Sequence, residues 1–358
     1  MSRPWLVLAE SNRRRWGGDL RRHYLLRGLA ERTGAAVLEN WRPPSIQRSL
    51  AGMGRQGWHV WRRQPFVASA EILDEDQLAA IDAGGQPEVV DIHDDPLLQA
   101  EALGIELPPE RVASLRAQGD RNRSAFRWLV APSAPFAMLA GLDPDRVIVA
   151  PNGTASGVVK PPPWPDRRAV AFISGAAPSR GIEELIEAVR IVRTTHPDVL
   201  LDLWLAATGD ESRAYLVGLT DRVAGDPWIG IGQAPYDVLG ASLGAATILA
   251  IPTPANPYWD SVAPIKLFDC LAVGRPIVTT PRPETAAIVR DADAGVVTDD
   301  DSAAALAAAI RVLLDDPAAA QRMGGNGRTI AERDYDWATI GQRLATDILD
   351  RLPWLARF

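Results

Sequence analysis

Short apolar runs alternate with longer amphipathic stretches along the whole chain. In the first half, the runs that predict strands cover 5–9, 35–39, 65–69, 88–92, 127–131 and 146–150. In the second half they cover 169–173, 200–206, 228–232, 247–252, 276–280 and 295–298. Helical periodicity predicts helices over 20–32, 182–192, 212–223, 236–243, 265–271, 303–314 and 338–352. This alternation is typical of βαβ units and predicts an α/β fold with parallel sheets.

The length of the chain and one proline-rich segment predict two domains. A chain of 358 residues exceeds what one hydrophobic core usually supports. The segment KPPPWPDRR at 160–168 interrupts regular structure and predicts a linker region. We expect two doubly wound domains, over 1–150 and 151–336, and a last helix within 337–358. Ligands of such domains bind outside the carboxyl ends of the parallel strands. We therefore expect the binding cleft where the strand ends of the two domains face each other.

The composition of the chain indicates its cellular location. No stretch approaches the roughly 20 apolar residues that span a bilayer, and the N-terminus has too short an apolar run for a secretory signal. The single cysteine, Cys270, excludes an intramolecular disulfide and a cysteine-based metal cage, and we expect it in the core. A cytoplasmic protein is the expectation.

Charge is distributed unevenly along the chain. The net charge is -7, yet residues 1–63 hold 13 arginines against four acids. The basic N-terminal region predicts an anionic partner, and phosphates, nucleic acid and anionic lipid all fit. Within it, 41–63 combines three tryptophans with five arginines and no acid. Either this segment receives an anionic or lipid-linked acceptor at a membrane surface, or it is a surface loop with tryptophans packed on the core.

Two strand–loop–helix stretches carry the candidate chemistry. In SGAAPSRGIEELIEA (174–188), Arg180 and Gly181 stand where a helix opens after a strand, and free N–H groups there suit a phosphate. In DSVAPIKLFDCLAVGRP (260–276), Pro264 fits the first helical turn and Ser261 fits its cap. Lys266 falls in that first turn, where the helix dipole disfavours a cation unless an anion lies nearby. Asp269, on the same helix face, either pairs with Lys266 in solvent or accepts from sugar or ribose hydroxyls.

These stretches resemble the retaining GT-B glycosyltransferases of group 1. The family's Lys/Arg-Gly pair is similar to Arg180–Gly181, and its PxKLFEYLAxGxPVV pattern is similar to PIKLFDCLAVGRPIVTT at 264–280. Its PNG at the domain crossing matches 151–153, and its N-terminal double glycine resembles Gly17–Gly18. No GxGxxG follows the first strand and no GxxxxGK[ST] occurs, which disfavours a nicotinamide enzyme or a P-loop nucleotidase.

The resemblance implies a GT-B fold of two facing Rossmann-like domains, with a last helix that returns to the first domain. The C-terminal domain would bind a nucleoside-diphosphate sugar and the N-terminal domain an acceptor, without metal, cofactor or nucleic acid. Arg180 and Lys266 would neutralise the donor diphosphate, while Asp269 would lie near the ribose. The donor site it implies comprises Gly17, Gly18, Gly175, Gly181, Gln233, Ser261, Val262, Ala263 and Asp269.

The chain departs from the family pattern at three places. The arginine usual some five residues before the Lys-Gly pair is replaced by Gly175 and Ala176, and the first acid of the E-x7-E motif falls on Ser261. The family's active-site histidine falls in DIHDDP (91–96), on either His93 or Asp94. A catalytically degenerate binding protein and a sugar-nucleotide epimerase therefore stay as alternatives to a transferase. The expected location is cytoplasmic, with peripheral contact at the inner membrane face through 41–63 as the second option.

Overall fold

The computed structural model describes residues 6–9, 20–21, 23–25, 36–39, 66–70 and 88–353. The chain divides into two compact units. The first comprises Met1–Glu101, Glu106–Pro151 and Trp337–Phe358, and the second comprises Ala102–Ile105 and Asn152–Asp336. Gly17, Gly18 and the segment 41–63 lie outside the described residues.

The first unit is built on a six-stranded parallel sheet of order β2-β1-β3-β4-β5-β6. Its strands are β1 (Leu6–Ala9), β2 (Ala36–Glu39), β3 (Phe66–Ala70), β4 (Val89–Asp91), β5 (Trp128–Ala131) and β6 (Val147–Val149). Its helices include α1 (Pro96–Ala102), α2 (Pro109–Ala125) and α3 (Ala134–Leu139). Of the helix expected over 20–32, residues 20–21 and 23–25 are described, and they are helical.

The second unit carries a second six-stranded parallel sheet, of order β12-β11-β10-β7-β8-β9. Its strands are β7 (Ala169–Gly175), β8 (Leu200–Ala206), β9 (Ile229–Gly232), β10 (Ile248–Ile251), β11 (Ile277–Thr279) and β12 (Gly295–Val297). The direction of winding reverses between β7 and β10, which are neighbours in the sheet. Such a reversal is a topological switch point, where α/β sheets bind ligands.

Helices cover both faces of this second sheet. They are α4 (Ile182–Arg193), α5 (Asp210–Arg222), α6 (Leu239–Gly244), α7 (Pro257–Ser261), α8 (Ile265–Val273), α9 (Pro283–Asp291), α10 (Ala303–Asp315) and α11 (Pro317–Arg333). Alternate residues of β7 enter opposite cores: Val170 and Phe172 pack on the α4 and α10 side, and Ala169 and Ala171 on the α8 side. Two buried faces explain why β7 and β10 are almost entirely apolar.

The last helix, α12 (Trp337–Arg351), belongs to the first unit and packs against β6. Its first residue, Trp337, is buried. No helix in the described residues has the length and hydropathy to cross a bilayer.

The expectation of a linker at 160–168 is wrong. The segment has no helix or strand, but it lies inside the second unit and packs on α6. Its proline carbonyls are satisfied by the buried Arg275, which donates to Pro162 at 3.1 Å and Pro163 at 2.8 Å and lies 4.8 Å from the Trp164 ring. The segment is irregular because proline supplies no N–H, and a buried arginine supplies the missing donors.

Glycines bring α11 into backbone contact with the end of α8. A Cβ on Gly324 would lie 2.4 Å from the Gly274 carbonyl oxygen, and one on Gly327 would lie 2.9 Å from the Leu271 side chain. Gly274 itself has a φ of 72° and ends α8 in the left-handed conformation. The crossing therefore requires residues without side chains.

Candidate functional site

The loop after β7 fixes the position of Arg180. A short 3-10 turn, Pro178–Arg180, leads into Gly181, which precedes α4 with a φ of 74°. A Cβ on Gly181 would lie 1.8 Å from the carbonyl oxygen of Pro252, the residue that follows β10. Only glycine fits this close approach. Arg180 is thereby held beside the carboxyl ends of the two strands that flank the switch point.

The loop after β10 fixes the position of Lys266. It contains the short helix α7, after which Pro264 is the N-cap of α8 without a side-chain hydrogen bond. The expectation that Ser261 caps α8 is wrong, because its hydroxyl ends α7 instead and donates to the Tyr258 carbonyl at 2.8 Å. Lys266 is the second residue of α8, as the sequence predicts.

One pocket receives residues from both loops, and we name it the Lys266 pocket. Lys266 Nζ donates to the Ser174 hydroxyl at 3.0 Å, which ties the start of α8 to the end of β7. The pocket lining, all within the described part of the chain, contains three cations and no acid. It consists of Phe172, Ile173, Ser174, Arg180, Ala250, Ile251, Thr253, Trp259, Val262, Pro264, Lys266, Cys270, Arg282 and Thr285.

The electrostatics of the pocket disfavour a charged lysine in the unliganded protein. Burial is the largest cause that lowers the pKa of Lys266 well below its usual value, and the positive charge of Arg180 lowers it further. The alternative of a solvated Lys266–Asp269 pair is wrong, since each side chain has a different partner within the described residues. An anion between Arg180 and Lys266 would offset both the burial and the repulsion.

Asp269 lies on α8 as a buried carboxylate. Its Oδ1 accepts from the Thr154 hydroxyl at 2.8 Å and from the Tyr236 hydroxyl at 3.2 Å. Burial raises the pKa of Asp269 to about 7, and the two hydroxyl donors act in the opposite direction. The carboxylate thus joins α8 to the segment after 151 and to the loop after β9. Its role toward a ribose stays a prediction.

Arg282 is a pocket residue that the sequence did not reveal. Its guanidinium donates to Asp260 at 2.9 Å and to Asp301 at 2.7 Å, and 7% of the residue is exposed. It therefore braces the loop that contains α7 against the start of α9 and the loop after β12. With 36 arginines in the chain, nothing in the sequence distinguishes this one.

The other expected donor-site residues of the second unit surround these loops. Val262 and Ala263 are buried between α7 and α8, and the Ala263 carbonyl accepts from the Asn152 side chain at 2.9 Å. Gly175 ends β7, and a Cβ there would have no neighbour within 4 Å. Gln233 is exposed directly after β9. Cys270 is buried, as expected, and burial raises the pKa of its thiol.

In the first unit, an arginine–aspartate pair lies at the end of β4. Arg21 is fully buried and donates to Asp91 at 2.7 Å and to the carbonyls of Ala150 and Pro151 at 2.9 and 3.0 Å. Burial alone would raise the pKa of Asp91, but Arg21 and His93 together hold it well below its usual value. Arg21 is one of 13 arginines in 1–63, and no pattern in the sequence distinguishes it from the others.

His93 and Asp94, the two candidates after β4, have different surroundings. His93 Nδ1 lies 3.4 Å from the Asp91 carboxylate. Asp94 accepts from the Gln99 side chain at 2.8 Å and from the Asp95 N–H at 2.9 Å, next to the start of α1. Asp94 is thus engaged in local structure, while His93 adjoins the buried pair. No group of metal-ligating side chains occurs among the described residues.

Comparisons with known proteins agree with these features. Residues 167–316 match the family model described as Glycosyl transferases group 1. Over 258 residues the chain is 29% identical to a GDP-mannose-dependent alpha-(1-6)-phosphatidylinositol monomannoside mannosyltransferase of Mycolicibacterium smegmatis. This match covers 67% of the chain and 65% of the mannosyltransferase, which is less than two thirds of that protein's length.

Solved structures share the fold over nearly the whole chain. Sucrose-phosphate synthase from Thermosynechococcus elongatus has a TM-score of 0.68 at 16% identity, with 99% of this chain and 100% of that one covered. Anabaena HepE in complex with UDP and glucose has a TM-score of 0.64 at 17% identity, with 97% and 99% covered. At these identities the likeness shows the fold.

Proposed function

We propose that this protein, whose residues 167–316 belong to the group 1 glycosyl transferases and whose fold is GT-B, is a glycosyltransferase. In this proposal it transfers a sugar from a nucleoside-diphosphate sugar to an acceptor, with retention of the anomeric configuration. Arg180 and Lys266 stabilise the diphosphate that leaves.

The observation that carries the proposal is the placement of Arg180 and Lys266 in one pocket at the switch point. The charge of Arg180 disfavours the charged form of Lys266, so placing both charges in one pocket costs free energy unless an anion lies nearby. Both side chains stand where a strand ends and a helix starts, an arrangement that suits phosphate groups. A diphosphate would supply two negative groups to this pocket.

The chemistry follows from that charge. When the glycosidic bond to the diphosphate breaks, negative charge develops on the leaving oxygen, and fixed cations there stabilise the transition state more than the ground state. Each charge-assisted contact of this kind contributes on the order of 2–4 kcal/mol. Because Gly181 and Ser174 hold Arg180 and Lys266 in place, little reorganisation is needed during the reaction.

For the first unit, we propose His93 rather than Asp94 as the side chain that faces the transferred sugar. The hydrogen bonds of Asp94 serve the start of α1, whereas His93 is oriented by Asp91. The carboxylate beside Nδ1 holds the His93 ring in one orientation.

The relatives suggest the substrates to test first. The mannosyltransferase is GDP-mannose-dependent, and HepE has been solved with UDP-glucose. The mannosyltransferase acts on a phosphatidylinositol monomannoside, which accords with our expectation of an anionic or lipid-linked acceptor. The arginines and tryptophans of 41–63 would meet such an acceptor at a membrane surface. Co-sedimentation with anionic vesicles at low salt tests this contact. If the protein does not bind the vesicles, the proposed role of 41–63 at a membrane surface is wrong.

The central test is nucleotide binding followed by transfer. We expect one of UDP, GDP, dTDP or ADP to raise the melting temperature of the wild type by mass action, and the same change to be absent from Lys266→Met. The corresponding sugar nucleotide should then be consumed, and NMR of the product should show the donor's anomeric configuration. No shift with any of the four nucleotides overturns the proposal.

A binding protein without turnover is the second candidate, and Ser261 favours it. The family has an acid at this place, whereas the Ser261 hydroxyl is directed to the Tyr258 carbonyl. Nucleotide binding that depends on Lys266, without consumption of any sugar nucleotide, would support this candidate over the transferase.

A further inference from the structure

The ring of Trp259 supports the Arg180 guanidinium. Arg180 Cζ lies 4.4 Å from the Trp259 ring centroid, well inside the roughly 6 Å range of cation–π attraction. Trp259 is 7% exposed, so little water competes for the ring. Desolvated contacts of this kind are stronger than exposed ones.

Several contacts fix the tryptophan itself. It lies on α7, where the Asn256 side chain accepts from the Tyr258 N–H at 2.9 Å and so starts the helix. The Tyr258 ring packs edge-on against Trp259, with 4.7 Å between centroids. Asp260, the next residue, is held by Arg282 at 2.9 Å. The ring therefore offers Arg180 a rigid face.

Arg180 needs such a support because a charged Lys266 would repel it. The positive charge of Arg180 lowers the pKa of Lys266, so the protonated lysine and the guanidinium repel each other unless an anion lies between them. A long and flexible arginine would relieve this repulsion by turning toward water. Attraction to the electron-rich ring face opposes that movement.

We propose that Trp259 is a positioning residue that keeps Arg180 directed into the Lys266 pocket, ready for the donor diphosphate. This inference rests on the proposed function, since it assigns the bound group as a diphosphate. Its distinctive claim is that Trp259 acts through Arg180 and through its ring face.

A double-mutant cycle tests the claim. The dissociation constant of the nucleoside diphosphate found in the thermal screen is measured by calorimetry for wild type, Trp259→Leu, Trp259→Phe, Arg180→Ala and the double variant Trp259→Leu/Arg180→Ala. We expect Trp259→Leu to weaken binding about tenfold, or about 1.4 kcal/mol. Trp259→Phe should stay within about threefold of wild type, because phenylalanine keeps an aromatic face although it lacks the five-membered ring and its N–H. In the Arg180→Ala background, Trp259→Leu should change binding by less than about twofold.

Each other outcome overturns the inference. Equal weakening by Trp259→Leu in both backgrounds indicates ordinary packing, and equal weakening by the Phe and Leu variants indicates that the N–H is what matters. Unchanged binding in Trp259→Leu shows that the ring is not needed. Should the Leu variant unfold, Trp259→Met, which fills the space with a flexible chain, takes its place in the cycle.

These measurements distinguish a failure of the proposed role of Trp259 from a failure of the proposed glycosyltransferase function. If the wild type binds nucleoside diphosphate in a Lys266-dependent manner and the cycle shows no coupling, only the role of Trp259 fails. If the wild type binds none of the nucleotides, the proposed function fails and this inference fails with it.

Discussion

Replacement of Gly181 by alanine should destabilise the second unit strongly, although it adds a single methyl group. The φ of 74° at this residue costs an alanine about 1–2 kcal/mol. The new Cβ would lie 1.8 Å from the Pro252 carbonyl oxygen, and real Cβ contacts do not occur below 3.0 Å, so the two must separate by at least 3.0 − 1.8 = 1.2 Å. Forced movement of this kind in a packed region costs about 1–3 kcal/mol more.

The total of about 2–5 kcal/mol converts to a measurable change in melting temperature. For a domain of the size of Asn152–Asp336, each 1 kcal/mol lowers Tm by about 2–4 °C, so we expect a decrease of about 4–20 °C. Thermal unfolding followed by circular dichroism measures it.

Gly175→Ala is the matched control. Gly175 is the last residue of β7, directly before the loop that contains Gly181, and a Cβ there meets nothing within 4 Å. Its Tm should stay within about 1 °C of wild type. A Gly181→Ala variant that melts with the wild type would refute the packing argument, and with it the reason why Arg180 is fixed beside β10.

Three further variants probe charge. Lys266→Met should raise the Tm of the unliganded protein, because folding no longer forces an amine that is charged in the unfolded chain into a site that disfavours its charge. The same variant should weaken nucleoside diphosphate binding at least about 30-fold, and a lower Tm with intact binding contradicts this. Asp269 has a folded pKa of about 7 and an unfolded value near 3.9, so the folded state keeps a proton that the unfolded state releases, and stability falls as pH rises between these values. Asp269→Asn should abolish this decrease of up to about 1.4 kcal/mol per pH unit. Urea unfolding of both proteins between pH 5 and 8 measures it, and the same dependence of unfolding free energy on pH in wild type and variant would contradict the prediction. Arg275→Met should cost about 3–5 kcal/mol by leaving the buried carbonyls of Gly244 and Ala246 without this donor, and calorimetry that finds under 1 kcal/mol would contradict it.

The sequence predicted the strands far better than the helices. All twelve expected strands occur within two residues of the expected ends, since apolar runs mark strands buried on both faces. The helices α1–α3, α7, α9 and α11 were not predicted. α2 buries only Asn122, so it has no apolar stripe to detect. α11 buries small residues, among them Gly324 and Gly327, which in sequence resemble helix breakers.

The site was predictable where it follows from topology. Arg180 lies just before α4, the helix after β7, and Lys266 lies in the first turn of α8, which follows β10 and the short α7. Because β7 and β10 are neighbours at the switch point, the order of elements brings the two side chains together. Arg21 and Arg282 were not predictable, because their roles depend on distant carboxylates that no local pattern connects to them. Ser261 was assigned to the wrong helix because α7 is too short to show a period.

The glycine crossing between α8 and α11 has a consequence for how this protein acquires new specificity. Contact of backbone with backbone leaves no side chain to trim or enlarge, so the axis of α8 cannot be retuned by substitution at its far end. We therefore expect the substitutions that change sugar specificity to occur between Thr253 and Pro264, directly before α8. Laboratory evolution toward other sugars should draw its accepted changes from that stretch, and substitutions at Gly324 and Gly327 should be rejected because they destabilise the fold.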